Sequence, residues 1–320
     1  MNIPPGIYFG LPEADYHAAP ALGSGDMKRL AASPARFWWE KAGLNPLWKP
    51  YEHTPATRLG AARHCIAFYG EKEFARRYGR KTLNWSTKEG KEERDDFALN
   101  DLEPLPEDDY DRTLLTRKLI EANPYFAETF AEPIAHEVSV FWNSPQGIPK
   151  KARFDGLKVR SIVDLKNIAN EREIDFRMAC LRYLHNYSAH VQAEHYREAR
   201  LAMKDLMKAF PFRKANRLLL DCAASAEWAF VFIFLQKTGA PEVEGLQLTY
   251  REFATGESEK NPIFDVARRV LDRADTNYLR CVEKFGTSAA WIEPKPITEL
   301  DSSQMSLPSW FLRAADWESV

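Results

Sequence analysis

The residues best suited to chemistry lie in one short segment, Lys150–Lys166, which reads KKARFDGLKVRSIVDLK. Side chains two residues apart in a strand point to the same face, so Asp164 and Lys166 share a face. Asp155 lies at the end of the preceding predicted strand, beside a hairpin turn, where its side chain can face the same pocket. Two carboxylates and an ammonium group are therefore expected to converge at the edge of a sheet.

This combination suits a hard divalent cation. Mg²⁺ binds carboxylate oxygens at nearly octahedral angles and keeps several water molecules for a substrate phosphate. A lysine beside the metal can orient a metal-bound water and help to stabilise its hydroxide form. An ion pair between Lys166 and either aspartate, on a solvated strand face, explains the same residues equally well because D-x-K is a short and common string.

Three strands are expected to position this segment. Alternating β-branched and aromatic residues predict strands over Ile134–Trp142, Lys150–Leu157 and Val159–Asn167. Short turns join these three strands into an antiparallel meander. Two further strands are predicted over Trp228–Gln236 and Glu244–Tyr250.

Helical periodicity covers much of the remaining chain. The predicted helices are Met27–Ala32 with Ser24 or Asp26 as its N-cap, a short helix from Ser33-Pro34 through Trp39, Ala56–Tyr69, Asp109–Glu121, Glu173–Leu184, Ala189–Met207 and Pro262–Phe285. The polar segment Ser86–Asp111 is interpreted as a solvated helix and loop. This order predicts an α+β or α/β fold in which helices flank a mixed central β-sheet.

Composition limits the class of protein. The 320 residues include 44 basic and 46 acidic side chains, and the net charge of −2 excludes a simple polycationic nucleic-acid coat. No apolar run approaches the roughly 20 residues that span a bilayer. The sequence MNIPPGIYFG lacks the basic and apolar regions of a secretory signal, so we expect a cytoplasmic protein that does not bind membranes.

The chain is expected to form one domain over residues 1–320, because no Gly/Ser linker or internal repeat divides it. Residues 1–55 would form a helical N-terminal segment, and residues 56–320 the core with helical insertions. The four cysteines are scattered without a CxxC pair, which favours free thiols packed as small apolar residues: Cys65, Cys180, Cys222 and Cys281.

Several motifs occur in the order found in one nuclease superfamily. The run from Asp155 to Asp164-Leu165-Lys166 resembles the D…D-x-K form of the PD-(D/E)XK nuclease motif. Upstream, Gly60-x-x-x-His64 resembles the G-x-x-x-H element of the RecB-like nucleases, and downstream Gln192-x-x-x-Tyr196 resembles their Q-x-x-x-Y element. Glu137 lies on the first strand of the meander, where that fold often places an additional acidic ligand.

The N-terminal string YHAAPALGSGDMKRLAASPARF resembles the start of the exonuclease VIII (RecE-type) family, which reads approximately YH-x-x-P-x-L-S-x-S-x-L-K-x-L-x-x-SPA. The C-terminal part, with Leu307-Pro308-Ser309-Trp310, also follows that family, so the resemblance covers nearly the whole chain. Gly23 and Gly25 stand where the family usually has serines, with only Ser24 between them. Whether Ser24 contacts a terminal 5′-phosphate in their place is left open by this departure.

The resemblance implies a PD-(D/E)XK, restriction-endonuclease-like core and a Mg²⁺-dependent exodeoxyribonuclease, with Mn²⁺ as a substitute ion. It would degrade one strand of linear double-stranded DNA from the 5′ end for phage-type recombination. Asp155 and Asp164 would bind the metal, and Lys166 would position the attacking water. His64 would be an additional metal ligand or a phosphate contact, and Glu137 an additional acidic ligand. Gln192 and Tyr196 would contact the substrate or brace the metal site, and a purely structural role in helix packing explains them equally well.

The same resemblance implies partners: double-stranded DNA ends, identical subunits in a ring, and a single-strand annealing protein. DNA would need cationic walls, for which the candidates are Arg63, Arg76, Arg77, Arg80, Lys81, Lys150, Lys151 and Arg153. Trp85 and Phe37-Trp38-Trp39 could stack at a DNA end, although such aromatics more often belong to a core. Two alternatives stay open: a structure-specific or restriction-like endonuclease that uses the same site, and a catalytically silent DNA-binding module.

Overall fold

The computed structural model describes residues 2–49, 54–209, 217–251, 262–295 and 297. The helices are α1 (Glu13–Ala18), α2 (Ser24–Ala32), α3 (Pro34–Glu40), α4 (Pro55–Arg77), α5 (Lys88–Leu99), α6 (Glu107–Ala122), α7 (Pro124–Phe130), α8 (Phe176–Asn186), α9 (Ala189–Ala209), α10 (Arg217–Ala224) and α11 (Pro262–Phe285). The strands are β1 (Gly6–Tyr8), β2 (Tyr78–Lys81), β3 (Glu103–Pro106), β4 (Ala135–Asn143), β5 (Pro149–Lys158), β6 (Ser161–Ile168), β7 (Glu227–Gln236) and β8 (Val243–Arg251). Leu307-Pro308-Ser309-Trp310, part of the family resemblance, lies outside the described residues.

A six-stranded sheet organises the fold, in the order β1-β4-β5-β6-β7-β8. Strands β4, β5 and β6 form the predicted antiparallel meander. Strand β7 then pairs with β6 in parallel over the full length of β6, and β8 pairs with β7 antiparallel. The mixed central sheet flanked by helices that the sequence predicts is therefore confirmed.

Helices cover both faces of this sheet. On β6, Ile162 and Ile168 join a core cluster that includes Tyr196 of α9, whereas Val163 and Leu165 join a second cluster with Phe68 of α4. Alternation along the strand therefore places Asp164 and Lys166 on the face covered by α9. Strand β7 is buried on both faces, as expected for a strand in the interior of the sheet.

The alternation of β4 and β5 shifts by one residue beside the candidate site. Ala135 and Val138 lie three residues apart on β4, yet both pack against the core cluster beneath α9. Phe154 and Leu157 on β5 show the same three-residue spacing. Glu137, which lies in the shifted part of β4, has a φ of 50°, an unusual value for a residue with a side chain. The regular two-residue pattern of both strands is thus interrupted at the site.

The N-terminal segment differs in part from the prediction. It includes α1, α2 and α3 but also β1, which pairs with β4 at the sheet edge. Helix α2 begins at Ser24 with Gly23 as its N-cap, so neither predicted capping residue holds that position. The Asp26 side chain instead accepts a hydrogen bond from the Gly23 N–H at 3.1 Å. Ser33 caps α3, because its Oγ accepts from the Arg36 N–H at 3.2 Å, and the short helix predicted from Ser33-Pro34 is present.

Several other elements depart from the sequence prediction. Helix α4 extends past the predicted end to Arg77, with a break at Gly70, where φ is 79°. The polar segment contains α5, in agreement with the predicted helix, while β2 and β3 form a small parallel sheet that the sequence did not predict. All four cysteines are buried free thiols, as expected. Among the helices of the described residues, none is long and apolar enough to cross a membrane.

Candidate active site

Asp164 lies at the centre of a buried polar cluster on β6. Its side chain is 2% exposed, and its two carboxylate oxygens have different partners. Oδ2 lies 2.7 Å from Nζ of Lys166, and Oδ1 accepts a hydrogen bond from Nε2 of Gln192 at 2.8 Å. The ammonium group therefore comes from the same strand and the amide from α9, which covers this face.

Asp155 lies where the β5–β6 ladder opens. The paired residues end at Gly156 and Val163, one position before Asp155 and Asp164 would meet. The Asp155 side chain takes over one hydrogen bond there, because its Oδ2 accepts from the Leu165 N–H at 3.2 Å. Main-chain pairing between β5 and β6 stops here, and the Asp155 carboxylate lies between the two strands instead.

His64 approaches the same carboxylate from α4. Its Nε2 lies 3.6 Å from Oδ2 of Asp155, and its ring packs against Phe68 with 4.5 Å between ring centroids. Glu137 faces Asp155 across the β4–β5 ladder, between the pairs His136–Gly156 and Val138–Phe154. The structure thus brings the G-x-x-x-H histidine and the acidic residue of β4 to the same end of the site.

The pKa values of the two aspartates are shifted in opposite directions, up for Asp164 and down for Asp155. Burial raises the pKa of Asp164 to about 6, with the negative charge of Asp155 adding to the effect, while Lys166 and Gln192 act against it. Burial also acts to raise the pKa of Asp155, but the His64 charge and hydrogen bond, together with Lys166, hold that pKa below its ordinary value. The site therefore holds one firmly ionised carboxylate beside a second whose ionisation is costly.

The nearby carboxylates raise the pKa values of the two cationic groups of the site, Lys166 and His64. Burial opposes the charge on Lys166, yet Asp164 and Asp155 raise its pKa above the usual value. Burial likewise opposes protonation of His64, but Asp155, Glu137 and Asp164 raise its pKa. Lys166 is thus an ammonium group at neutral pH, and His64 gains a proton more readily than an ordinary histidine.

Tyr196 lies one helical turn after Gln192 and is 8% exposed. Its ring packs against Phe154 and Phe230, with centroids 5.4 and 5.7 Å apart. Burial, followed by the charges of Tyr16, Asp155 and Asp164, raises its pKa well above the ordinary value. The phenol therefore stays neutral. Gln192 and Tyr196 lie on the same face of α9.

The donor set fits a hard divalent cation. Within the described residues, no group of three His, Cys, Asp or Glu side chains stands ready to enclose a metal ion. Mg²⁺ does not require such a cage, because it binds through one or two carboxylates and retains several waters. Asp155 and Asp164 supply those carboxylates, and the raised pKa of Asp164 reports negative charge that a cation would stabilise.

Three of the predicted DNA-contacting cations are buried, so that prediction is wrong for Arg63, Lys150 and Lys151. Lys150 is 1% exposed and lies 2.9 Å from both Glu198 and Asp275. Lys151 donates to the carbonyl oxygens of Tyr16 and Ala19. Arg63 is 2% exposed and donates to acceptors on three residues: Asn167, Gln236 and Lys237.

The more exposed candidate cations have partners in the protein. Arg76 and Arg77 both bind Glu73, and Arg80 binds two further acidic side chains, Glu107 and Asp111. Arg153 donates to Ser139 Oγ and to the Leu11 carbonyl oxygen, and Lys81 lies over the Trp85 ring. Three of these cations, Arg76, Arg77 and Arg80, are therefore balanced by carboxylates of the protein itself.

The proposed stacking aromatics divide into core and surface residues. Phe37 and Trp38 are 1% and 9% exposed and belong to a core cluster, so the DNA-stacking prediction is wrong for them. Trp39 is 56% exposed. The Trp85 indole packs against Phe97 and donates to Glu93 at 2.8 Å, which gives it a structural role.

Two residues near the site, Lys28 and Tyr183, were not among the site residues predicted from the sequence. Lys28 of α2 lies close enough to Lys166 and Asp164 for their charges to act on it, and burial together with Lys166 lowers its pKa to about 8. The Tyr183 phenol of α8 likewise interacts with the charges of Lys166 and Asp164. Lys28 belongs to the N-terminal string of the family resemblance, but its sequence neighbours do not place it beside a strand more than 130 positions away.

Comparisons with known proteins bear on the fold. No family model matches the chain, and no curated protein matches it. A crystal structure from Eubacterium rectale, named "Putative exonuclease", matches with a TM-score of 0.52 and 14% sequence identity. The match covers 91% of this chain and 97% of that one. At this identity the likeness shows that the two proteins share a fold.

Proposed function

We propose that this chain is a metal-dependent nuclease that hydrolyses DNA at the Asp155–Asp164–Lys166 site. The observation that carries the proposal is the buried Asp164 carboxylate, held on one oxygen by Lys166 and on the other by Gln192, beside an ionised Asp155. An ion pair on a solvated strand face, the alternative from sequence, does not describe a carboxylate that is 2% exposed. The fold shared with the protein named "Putative exonuclease" supports the same class of function.

Asp155 and Asp164 would hold Mg²⁺, or Mn²⁺ in its place, with His64 and Glu137 as additional ligands. The bound ion would polarise the scissile phosphate and lower the pKa of a water molecule. The proposal rests on the donor chemistry of the site: two carboxylates suit a hard cation that keeps part of its water shell.

The chain's own groups have separable tasks in this proposal. Lys166 keeps its proton and can donate to the attacking water or to a phosphate oxygen. Gln192 fixes the orientation of Asp164 through Oδ1, and the neutral Tyr196 phenol lies one helical turn away on the same face of α9. The Tyr196 ring itself belongs to the apolar core cluster on the α9 side of the sheet.

More specifically, the proposed activity is that of a 5′-to-3′ exodeoxyribonuclease, which degrades one strand of linear duplex DNA. The support is the N-terminal string that resembles the exonuclease VIII (RecE-type) family, together with the D…D-x-K, G-x-x-x-H and Q-x-x-x-Y motifs that resemble those of the RecB-like nucleases. A ring of identical subunits and a single-strand annealing partner belong to the same proposal. The glycines at positions 23 and 25 leave the 5′-phosphate requirement as a question for experiment.

The test uses linear duplex DNA labelled at either the 5′ or the 3′ end, together with a closed circle of the same sequence. Wild-type protein is incubated with each substrate in Mg²⁺ and in EDTA. Label loss from 5′ ends, with circles intact, is the expected result. Cleavage of circles would instead support an endonuclease. DNA binding without any Mg²⁺-dependent cleavage would support a silent binding module and overturn the proposal.

A further inference from the structure

Two tyrosines stack on each other at the junction of α8 and α9. The rings of Tyr183 and Tyr187 lie 4.5 Å apart between centroids, with an interplanar angle of 30°. Tyr183 is partly buried and makes an edge contact with Phe234, whereas Tyr187 is 62% exposed. The inner ring thus braces an outer ring that presents aromatic surface to solvent.

The Tyr183–Tyr187 pair lies near Lys166 and Asp164 of the candidate site. The Tyr183 phenol interacts electrostatically with both Lys166 and Asp164. Lys28 donates from Nζ to the carbonyl oxygen of Tyr187 at 2.9 Å, and it also lies within range of the Lys166 and Asp164 charges. An exposed aromatic ring and a second ammonium group therefore stand together next to the proposed reacting centre.

We propose that Tyr187, braced by Tyr183, is a stacking platform for an unpaired base of the cleaved strand, and that Lys28 binds a phosphate of the same strand. This inference rests on the proposed nuclease function, since it names the nucleotide subsite of that site. It assigns a substrate contact to two tyrosines that belong to none of the nuclease motifs in the sequence, and to a lysine of the N-terminal string.

Three features favour a nucleotide as the ligand. An exposed aromatic ring can stack on any base, because every base has a π-face. The ammonium groups of Lys28 and Lys166 repel each other, and an anion such as phosphate would stabilise both. The nearby main chain is also fixed: the Tyr187 N–H donates to the Tyr183 carbonyl, and Lys28 binds the Tyr187 carbonyl. A preorganised ring and cation suit a base and its phosphate.

A binding cycle tests the stacking directly. Fluorescence anisotropy would measure the affinity for duplex DNA with an unpaired 5′ end, in Ca²⁺ to suppress turnover. An abasic nucleotide would replace each of the first few nucleotides in turn. Wild-type protein is expected to lose affinity by about 10-fold at one position, the size expected for one stacked base. Tyr187→Ala should show the loss with intact DNA and no further loss with the abasic DNA.

Matched variants separate stacking from other effects. Tyr187→Phe should keep the wild-type pattern, because it retains the ring. Tyr125→Ala removes a tyrosine that is 78% exposed on α7, and it should also leave the pattern unchanged. Lys28→Gln should reduce the slope of log Kd against log salt concentration by about one, as expected for one lost phosphate contact, and Lys28→Arg should restore it.

The outcomes distinguish this inference from the proposed function. If the wild type hydrolyses DNA in Mg²⁺ but Tyr187→Ala shows the same abasic penalty as the wild type, the platform is wrong and the nuclease stands. If the abasic penalty is present in the wild type and lost in Tyr187→Ala, but the wild type does not hydrolyse DNA, then the platform stands and the nuclease proposal fails. An absence of DNA binding by the folded wild-type protein would overturn the platform outright.

Discussion

Proton competition at Asp164 should control how strongly the site binds a divalent cation. Burial and the neighbouring Asp155 charge raise the pKa of Asp164 to about 6, so protons compete with a metal ion in an accessible pH range. Asp155 makes little contribution to this competition, because His64 and Lys166 hold its pKa below the usual value. The perturbation is therefore a change of pH from 7.5 to 5.

The expected magnitude follows from the degree of protonation. With a pKa of about 6, Asp164 is about 3% protonated at pH 7.5 and about 90% protonated at pH 5. If the ion binds only the ionised form of Asp164, this carboxyl alone should raise the apparent Kd by about 10-fold over this range. An ordinary aspartate with a pKa of about 3.9 would change the Kd by less than about 10%.

Mn²⁺ binding offers a direct assay, because electron paramagnetic resonance reports the free ion. Titrations of the wild type at pH 5, 6 and 7.5 would give the Kd at each pH, and circular dichroism would check that the protein stays folded. The same series on His64→Gln removes proton competition at His64, whose pKa is also raised. The Kd of this variant should still rise at low pH, because the Asp164 carboxyl remains.

A Kd that is equal at pH 5 and 7.5 would refute the reasoning, because it would show that no carboxyl with a raised pKa binds the ion. Asp164→Asn should bind Mn²⁺ weakly at every pH. Asp205→Asn is the matched control, since the Asp205 side chain is 82% exposed on α9 and lies 3.0 Å from the exposed ammonium group of Lys208. This control should reproduce the wild-type pH dependence.

Two further substitutions test the structure around the site. Gly156→Ala should lower the free energy of unfolding by about 1–3 kcal/mol in urea titrations, because its Cβ would lie 2.7 Å from Ile134 and 2.8 Å from Phe68. Gly60→Ala, whose Cβ would meet only an amide nitrogen at 4.0 Å, should not destabilise the protein, and equal losses in both variants would contradict the packing. Lys150→Ala should cost about 3–5 kcal/mol, because two partly buried carboxylates lose their cation. The exposed control Lys208→Ala should change stability by less than about 0.5 kcal/mol, and a similarly small effect at Lys150 would disprove its structural role.

The meander could be predicted from the sequence because its strands alternate clearly and are joined by short turns. Strand β4 differs from the predicted Ile134–Trp142 by one residue at each end. The parallel pairing of β6 with β7 could not be derived in this way, because three helices separate these strands in the chain. Local periodicity identifies a buried strand, whereas its neighbours in the sheet depend on contacts distant in sequence.

The environment of charged residues was the least predictable feature. Lys150 was assigned to a DNA-binding wall, but its partners Glu198 and Asp275 lie 48 and 125 residues away in sequence. A lysine has the same local sequence signature whether its ammonium group faces solvent or a buried carboxylate. The same limitation hid Lys28, which reaches the site because α2 packs beside α9.

The sequence indicates which residues belong to the candidate site, but it does not indicate the backbone geometry that brings them together. The motifs identified Asp164, Lys166 and Gln192, which the structure joins through direct contacts. The opening of the β5–β6 ladder beside Asp155 and the positive φ of Glu137 had no sequence signal. Both arise from the fit between strands and helices, which a local pattern does not encode.

The most direct test of the central claim is the rate of nucleotide release from linear duplex DNA by the wild type, Asp164→Asn and the control Asp205→Asn. Release in Mg²⁺ and none in EDTA is expected for the wild type and the control. The rate of Asp164→Asn should be at least about 100-fold lower, because a metal ligand and the partner of Lys166 are lost together. A wild-type rate in the Asp164→Asn variant, or equal release in EDTA, would show that this site does not hydrolyse DNA with a divalent cation.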